Sequence, residues 1–446
     1  MTGRLFGTDG MRGVAFEPPL DRATLTRLGV ALAAHLREVG LPVEILLAGD
    51  TRASTPALAE WVGGAFGAAG GRVEWAGVLP TPAVSHLLRE YPGFGAGVIL
   101  SASHNPAADN GVKLVDVAGA KWPVEVERKL EDRLAVTPSE VALAPLAPVQ
   151  VVWQERYVEL LLRSLPGTPL AGVRLVVDAA NGAAVPVATP FLARLGARVE
   201  VINGAPDGRN INLHCGALHP RTLAARVVEQ RADAGVALDG DADRAILVTA
   251  SGRVLDGDDV LLIWARELTS LDRLPERKVV ATVMSNLGLG VALASDGIDL
   301  VRCPVGDREV WEAMQRGGIA LGGEQSGHII CSHFAATGDG LLTAAHVLAI
   351  AARTGQPLER LATLQRYPQV LLNVRVRQRR PLGEVPPLAA AVAEAEAALA
   401  GSGRIFVRYS GTEPLLRIMV EAATAEAAQS TAERMAAIAR EHLGDG

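Results

Sequence analysis

One pattern of apolar and polar positions returns three times along the chain. A short apolar run rich in β-branched residues ends in a Gly/Asp/Asn/Ser loop, and an Ala/Leu-rich stretch of helical spacing follows. It occurs in "VEILLAGDTRASTPALAEWVGGAF", in "VRLVVDAANGAAVPVATPFLARLG" and in "KVVATVMSNLGLGVALASDG". Strands alternating with helices of this length predict right-handed βαβ units and mainly parallel sheets. The tail departs from the pattern. "LLNVRVRQRR" and "RIFVRYSGTEPLLRIMVEAA" read as antiparallel strands with a turn. "TAEAAQSTAERMAAIAREHL" reads as a closing helix with Thr424 as its N-cap. The expected fold class is α/β: three successive α/β domains with mainly parallel sheets, then a C-terminal α+β domain. With 446 residues and ~150 per domain, three or four domains fit. The proline-rich "VTPSEVALAPLAPVQ" marks the first boundary. The expected spans are residues 1–150, 151–252, 253–366 and 367–446.

Ligands of open α/β sheets bind beyond the carboxyl ends of the strands, so polar clusters after apolar runs direct the search for chemistry. In "VILSASHNPAADNGVKLV", residues 98–115, an apolar run opens into Ser101, Ser103, His104, two asparagines and Lys113. Such residues also make ordinary turns. In "GVALDGDADRAILV", Asp239, Asp241 and Asp243 alternate between two apolar runs, followed by Arg244. Carboxylates ~4 Å apart repel by roughly 4 kcal/mol at an effective dielectric of 20, and a hard cation such as Mg²⁺ relieves that repulsion. An EF-hand is excluded, because Arg244 stands where its glycine belongs and Ala250 where its glutamate belongs. "GGEQSGHI" offers Glu324, Ser326 and His328 to sugar hydroxyls, and "FGTDGMRG" sets Arg12 in a glycine-flanked loop. In "RYSGTEPLLR", Arg408, Ser410, Thr412, Arg417 and the backbone at Gly411 can form a phosphate nest or a plain hairpin turn.

Neither serine of the first cluster lies in G-x-S-x-G, and H-E-x-x-H is absent. A lone serine is a poor nucleophile without a base, but it can carry a phosphoryl group. A phosphoserine brings about −1.5 to −2 charge and three acceptor oxygens, suited to a Mg²⁺ held by the aspartates. Serine loop, carboxylate loop and phosphate nest then belong to one reaction, phosphoryl transfer between the enzyme and a phosphorylated sugar. A metal-dependent phosphatase would leave the serine loop without a purpose, and a non-catalytic sugar-phosphate binder would not need a serine beside a metal site.

Composition narrows the partners. A net charge of −6 argues against a nucleic-acid surface. Cys215, Cys303 and Cys331 fit neither a disulfide framework nor a zinc site, which points to a reducing, cytoplasmic setting. The start "MTGRLFGTDGMRG" has no signal-peptide core, and no run of 18 apolar residues occurs. No membrane partner is expected, and "LLTAAHVLAIAA" reads as a buried helix. Only four of the 43 basic side chains are lysines, so Lys113 in the serine loop stands out.

"SASHNPAADNGVK", "DGDADR", "GEQSGH" and "RYSGTEP" occur here in the order and at the spacings of the α-D-phosphohexomutase superfamily, which the chain resembles over essentially its whole length. "GRLFGTDGMRG", "NINLHCGALHP", "VMSNLGL" and "CPVGDR" are most similar to its bacterial phosphoglucosamine mutases. The resemblance implies four domains around a central cleft, with the C-terminal one acting as a lid. It implies that Ser103 carries the phosphoryl group and, with Asp239, Asp241 and Asp243, holds one Mg²⁺. Glu324 and Ser326 would contact the sugar, and Arg408, Ser410, Gly411, Thr412 and Arg417 would grip the phosphate that is not reacting. Arg12, His104, Lys113, Arg244 and His328 would stabilise charge or handle protons. The implied reaction interconverts glucosamine 6-phosphate and glucosamine 1-phosphate through glucosamine 1,6-bisphosphate, with a phosphoglucomutase/phosphomannomutase as the alternative. The partner implied is a small-molecule sugar phosphate, and a homo-oligomer is compatible with the chain.

Overall fold

The computed structural model describes residues 4–7, 9–138, 143–410 and 414–444. The chain divides into two compact units, residues 1–284 with 300–363, and residues 285–299 with 364–446. The first unit carries three sheets built on one plan. The first comprises β1 (Met11–Val14), β2 (Glu44–Gly49), β3 (Arg72–Val78), β4 (Ala96–Leu100) and β5 (Asp109–Val115), ordered β1-β5-β4-β2-β3. The second comprises β6 (Arg174–Asp178), β7 (Arg198–Ile202), β8 (Ala234–Leu238), β9 (Ala245–Thr249) and β10 (Val254–Leu255), ordered β10-β9-β8-β6-β7. The third comprises β11 (Lys278–Thr282), β12 (Asp299–Cys303), β13 (Leu321–Gly323) and β14 (Ile329–Cys331), ordered β12-β11-β13-β14.

In each sheet the third strand of the repeating unit pairs in parallel with the first: β4 with β2, β8 with β6, β13 with β11. It then pairs antiparallel with the strand that follows it: β4 with β5, β8 with β9, β13 with β14. The βαβ units are therefore present, but the sheets are mixed rather than parallel throughout. The reason is loop length. Residues 101–108, 239–244 and 324–328 are too few for a crossover, and a short connection can only return as a hairpin. Those three hairpin loops are the serine, aspartate and Glu324 clusters. β4 (AGVIL) and β8 (AGVAL) are buried along their whole length, as continuous apolar runs between two covered faces should be. Each aims the loop that follows it. Phe6, Leu32, Phe66 and Trp122 belong to the buried core around the first sheet. The run "LLTAAHVLAIAA" lies in the largely buried helix Gly340–Thr354, and among the described residues no helix is long and apolar enough to cross a membrane.

In the second unit, β15 (Gln369–Arg375), β17 (Leu415–Ala422) and β16 (Gly403–Tyr409) form an antiparallel sheet in that spatial order. Helix Ala425–Leu443 follows, its Thr424 hydroxyl accepting the Ala427 N–H at 3.2 Å. Helix Leu287–Ser295, whose sequence continues the third βα pattern, belongs to this unit. Buried Glu421 ties it down, accepting Asn286 Nδ2 and the Leu287 N–H, each at 3.1 Å.

Candidate functional site

The two serines after β4 do different things. Ser101 donates its hydroxyl to Asp50 Oδ2 at 2.6 Å and accepts the Ser103 N–H at 2.9 Å, so it builds the loop. Ser103 sits at φ +52°, in the left-handed region that L residues avoid unless held there. Arg52 does much of the holding. Its buried guanidinium donates to the carbonyls of Ser103 at 3.0 Å, Asn105 at 2.9 Å and Asp109 at 2.9 Å, also to that of Pro106, and pairs with Asp50 at 2.9 Å. Asn212 Nδ2 adds a bond to the Ser103 carbonyl at 2.8 Å. The Ser103 hydroxyl is left to donate to Asp239 Oδ2 at 2.6 Å, with His104 Nδ1 3.3 Å away.

Asp239, Asp241 and Asp243 are 1, 1 and 4 % exposed. One carboxylate oxygen from each lies within 4.8 Å of the others. Burial, then the neighbouring Asp243 and Asp241, push the Asp239 carboxyl well above the usual range. The mutual repulsion is not left to a metal alone. Lys113 Nζ stands 2.8 Å from Asp241, 3.2 Å from Asp9 and 3.8 Å from Asp243. Burial alone would lower the Lys113 pKa, but the three carboxylates outweigh it and hold the ammonium charged. The sharper sign of a cation is that Oδ1 of Asp241 and Oδ1 of Asp243 are buried with no hydrogen-bond partner. Orphaned carboxylate oxygens in a dry site are costly, and hard oxygens converging within bonding reach fit Mg²⁺.

Asp243, Asp307 and His328 also bring ligand-type atoms together, but this trio does not fit a metal. Asp243, Asp307 and Glu324 favour the His328 cation against the opposing effect of burial. Yet the Gly338 N–H donates to Nε2 at 3.0 Å, which needs a lone pair there. A backbone donor cannot turn away, so the ring hydrogen is assigned to Nδ1, facing Asp243 Oδ2 at 3.6 Å. Ligation through Nδ1 would move the ring hydrogen to Nε2, against the Gly338 N–H that donates there.

His104 is the other titratable ring. Burial, with Arg244 and Arg12 nearby, lowers its pKa to about 4, which keeps it neutral at physiological pH. In the third hairpin, Glu324 Oε1 accepts the Gly306 N–H at 3.1 Å. Ser326 is exposed. Both residues line a cavity of about 510 Å³ with Gln325, Ile246 and Met284.

Family models described as phosphoglucomutase/phosphomannomutase alpha/beta/alpha domains I, II and III match residues 3–139, 155–252 and 256–367, and the corresponding C-terminal domain matches 371–438. The phosphoglucosamine mutase of Solibacter usitatus is 46 % identical, over 100 % of both chains. This chain belongs to the phosphohexomutase family, among the phosphoglucosamine mutases. The phosphoglucosamine mutase of Moorella thermoacetica is likewise 46 % identical, over 94 % of this chain and 95 % of its own. A solved phosphoglucomutase/phosphomannomutase family protein of Burkholderia thailandensis superposes with a TM-score of 0.82 at 25 % identity, covering 98 % of this chain and 97 % of that one.

The second unit of this phosphohexomutase carries the remaining expected residues. Arg408 on β16 lies directly opposite Arg417 on β17. The pair sets two guanidinium groups on neighbouring strands, a form of donor suited to phosphate oxygens. The Ser410 N–H donates to the Leu415 carbonyl at 2.8 Å. Gly411 and Thr412 lie outside the described residues.

The structure also brings in residues that the motifs did not single out. Asp9 pairs with Arg12, Lys113 and Lys121, and Lys121 bridges on to Asp307. Lysine scarcity, which drew attention to Lys113, applies equally to Lys121. Arg52, Asp50, Thr81 and Asn212 had no such mark.

Proposed function

We propose that this chain, an isomerase of the phosphohexomutase family, interconverts glucosamine 6-phosphate and glucosamine 1-phosphate. Phospho-Ser103 gives its phosphoryl group to O1 of glucosamine 6-phosphate: the bond from phosphorus to Ser103 Oγ breaks and the bond to O1 forms. The resulting glucosamine 1,6-bisphosphate turns end over end. Its 6-phosphoryl group then passes to Ser103 Oγ, and glucosamine 1-phosphate leaves. The observation that carries this reading is the Ser103 hydroxyl 2.6 Å from Asp239 within the carboxylate cluster. Asp239, Asp241 and Asp243, with a phosphate oxygen on Ser103, would hold Mg²⁺, which when bound neutralises charge on the transferring group.

The other residues act by position and charge. Ser103 is fully covered in this conformation, so turnover requires its surroundings to open. Each transfer moves one proton. O1 gives up its hydroxyl proton as Ser103 Oγ regains one, and in the return Ser103 Oγ gives up its proton as O6 takes one on leaving. His104 Nδ1, 3.3 Å from Ser103 Oγ and held neutral by its surroundings, receives the serine proton and passes it on to O6. Lys113, Arg12 and Arg244 supply positive charge against the phosphoryl oxygens. His328 keeps Asp243 oriented. Glu324 and Ser326 meet the sugar hydroxyls, and Arg408 and Arg417, with Ser410, Gly411 and Thr412, bind the distal phosphate. Three free, buried cysteines suit a cytoplasmic enzyme.

The test has two arms. Intact mass should show one phosphate on the native chain and none on Ser103→Ala, which should also lose turnover. Loss of the phosphate in Ser101→Ala alone would move the carrier. Initial rates should favour glucosamine over glucose and mannose 6-phosphates by about 10- to 100-fold, since the analogues still offer a hydroxyl at C2. Equal or reversed rates would assign a phosphoglucomutase/phosphomannomutase, and release of free phosphate without isomerisation a phosphatase.

A further inference from the structure

Asp241 is held from outside its own loop. Thr81 opens the helix Thr81–Glu90, directly after Pro80, and no side chain caps that helix. Its backbone N–H, one of the amides a helix start leaves without an intrahelical acceptor, donates to the Asp241 carbonyl at 3.0 Å. Its hydroxyl donates to Asp241 Oδ2 at 2.6 Å. Lys113 Nζ takes the same oxygen at 2.8 Å. Two donors thus converge on Oδ2, while Oδ1 is buried with no partner. Thr81 is 5 % exposed, and its hydroxyl is committed to Asp241. A carboxylate gripped at its main-chain oxygen and at one side-chain oxygen has a single orientation left, and that orientation reserves Oδ1.

We propose that Thr81 is a positioning residue for the metal loop, orienting Asp241 so that Oδ1 faces the cation. The proposal rests on the Mg²⁺ reading above. Partners that orient a metal ligand typically contribute 10- to 100-fold in metal affinity. The Thr81 pair of bonds also spans two repeats, since Thr81 follows β3 of the first sheet and Asp241 follows β8 of the second.

The probe is Mn²⁺, titrated into the full chain in its dephosphorylated form and read by electron paramagnetic resonance, which needs no turnover. Thr81→Val keeps the shape and the N–H but removes the hydroxyl. Its Kd for Mn²⁺ should rise 10- to 100-fold, while Thr81→Ser, which keeps the hydroxyl, should stay near the native value. Thr81→Ala serves in place of the valine variant should that one fail to fold. A native-like Kd in the folded valine or alanine variant overturns the role of Thr81 and leaves the metal site standing. Equal weakening in the serine variant overturns it too, because packing and not the hydroxyl would then matter. A native chain that binds no Mn²⁺ overturns both the positioning role and the metal reading.

Discussion

Gly240, between Asp239 and Asp241, packs the aspartate loop against the Ser103 carbonyl of the serine loop, and Gly240→Ala perturbs that packing. A Cβ at Gly240 would lie 2.6 Å from the Ser103 carbonyl oxygen, 2.7 Å from Asn212 Nδ2 and 2.9 Å from Ile211 Cδ1. Its φ is not in the left-handed region, so alanine meets no backbone penalty there, only these atoms. Ordinary contact begins at 3.4 Å, so the loops must part by roughly 0.8 Å, the gap between 2.6 and 3.4 Å. Neither neighbour can yield alone, because Asn212 Nδ2 is itself bonded to the Ser103 carbonyl at 2.8 Å. The bond from Ser103 Oγ to Asp239, 2.6 Å at rest, would then stretch beyond good hydrogen-bonding range. A misplacement of ~1 Å lowers a rate about 100-fold, equivalent to ~2.7 kcal/mol in the barrier. Overpacking should lower stability by about 1–3 kcal/mol. A coupled assay of glucosamine 1-phosphate formation should show the loss mainly in kcat, with a reduced urea midpoint. Native kcat in a folded Gly240→Ala variant would refute the claim that the two loops work at fixed separation.

Two further perturbations follow from buried groups. Arg52→Lys removes the planar fork that reaches four carbonyls and Asp50. An ammonium has three donors and cannot replace it, so losing at least two charge-assisted bonds should cost on the order of 3–6 kcal/mol. A urea midpoint and activity equal to native would contradict the assigned role. His346, half-buried against Trp264 and Phe334, has its pKa lowered from 6.5 to about 4 by burial with Arg273 nearby. The folded ring resists protonation that the unfolded ring accepts, so this contribution is full above pH 6.5 and disappears as pH falls through 4. For a partly exposed ring we expect roughly 1–2 kcal/mol. Urea midpoints of native and His346→Phe chains should converge in slope only above pH 6.5, and parallel profiles down to pH 4 would exclude this contribution.

Much of this protein is determined by local pattern. Short apolar runs such as "AGVIL" and "AGVAL", bounded by turn residues, read as buried strands, and the polar loops after them are dense in Ser, Asp and Lys because chemistry is gathered at strand ends. The periodicity of the tail specifies its antiparallel strands and closing helix equally well. Each of these is a property of neighbours in sequence. The hairpin return after β4, β8 and β13 was obscured because the preceding βαβ units dominate the pattern, although the short loops already forbade a crossover. What only tertiary structure decided is which polar groups meet. Ser103 finds Asp239 across 136 positions, Lys113 finds Asp241 across 128, and Thr81 reaches Asp241 across 160. It also set the Ser101 hydroxyl on Asp50 and the Ser103 hydroxyl on Asp239, contacts that no spacing within the serine loop specifies. The physical reason is that hydrogen bonds and charge pairs depend on distances of a few ångströms between segments that share no periodicity. Composition can assemble the right groups, but only the packing of three repeated sheets brings their loops into register.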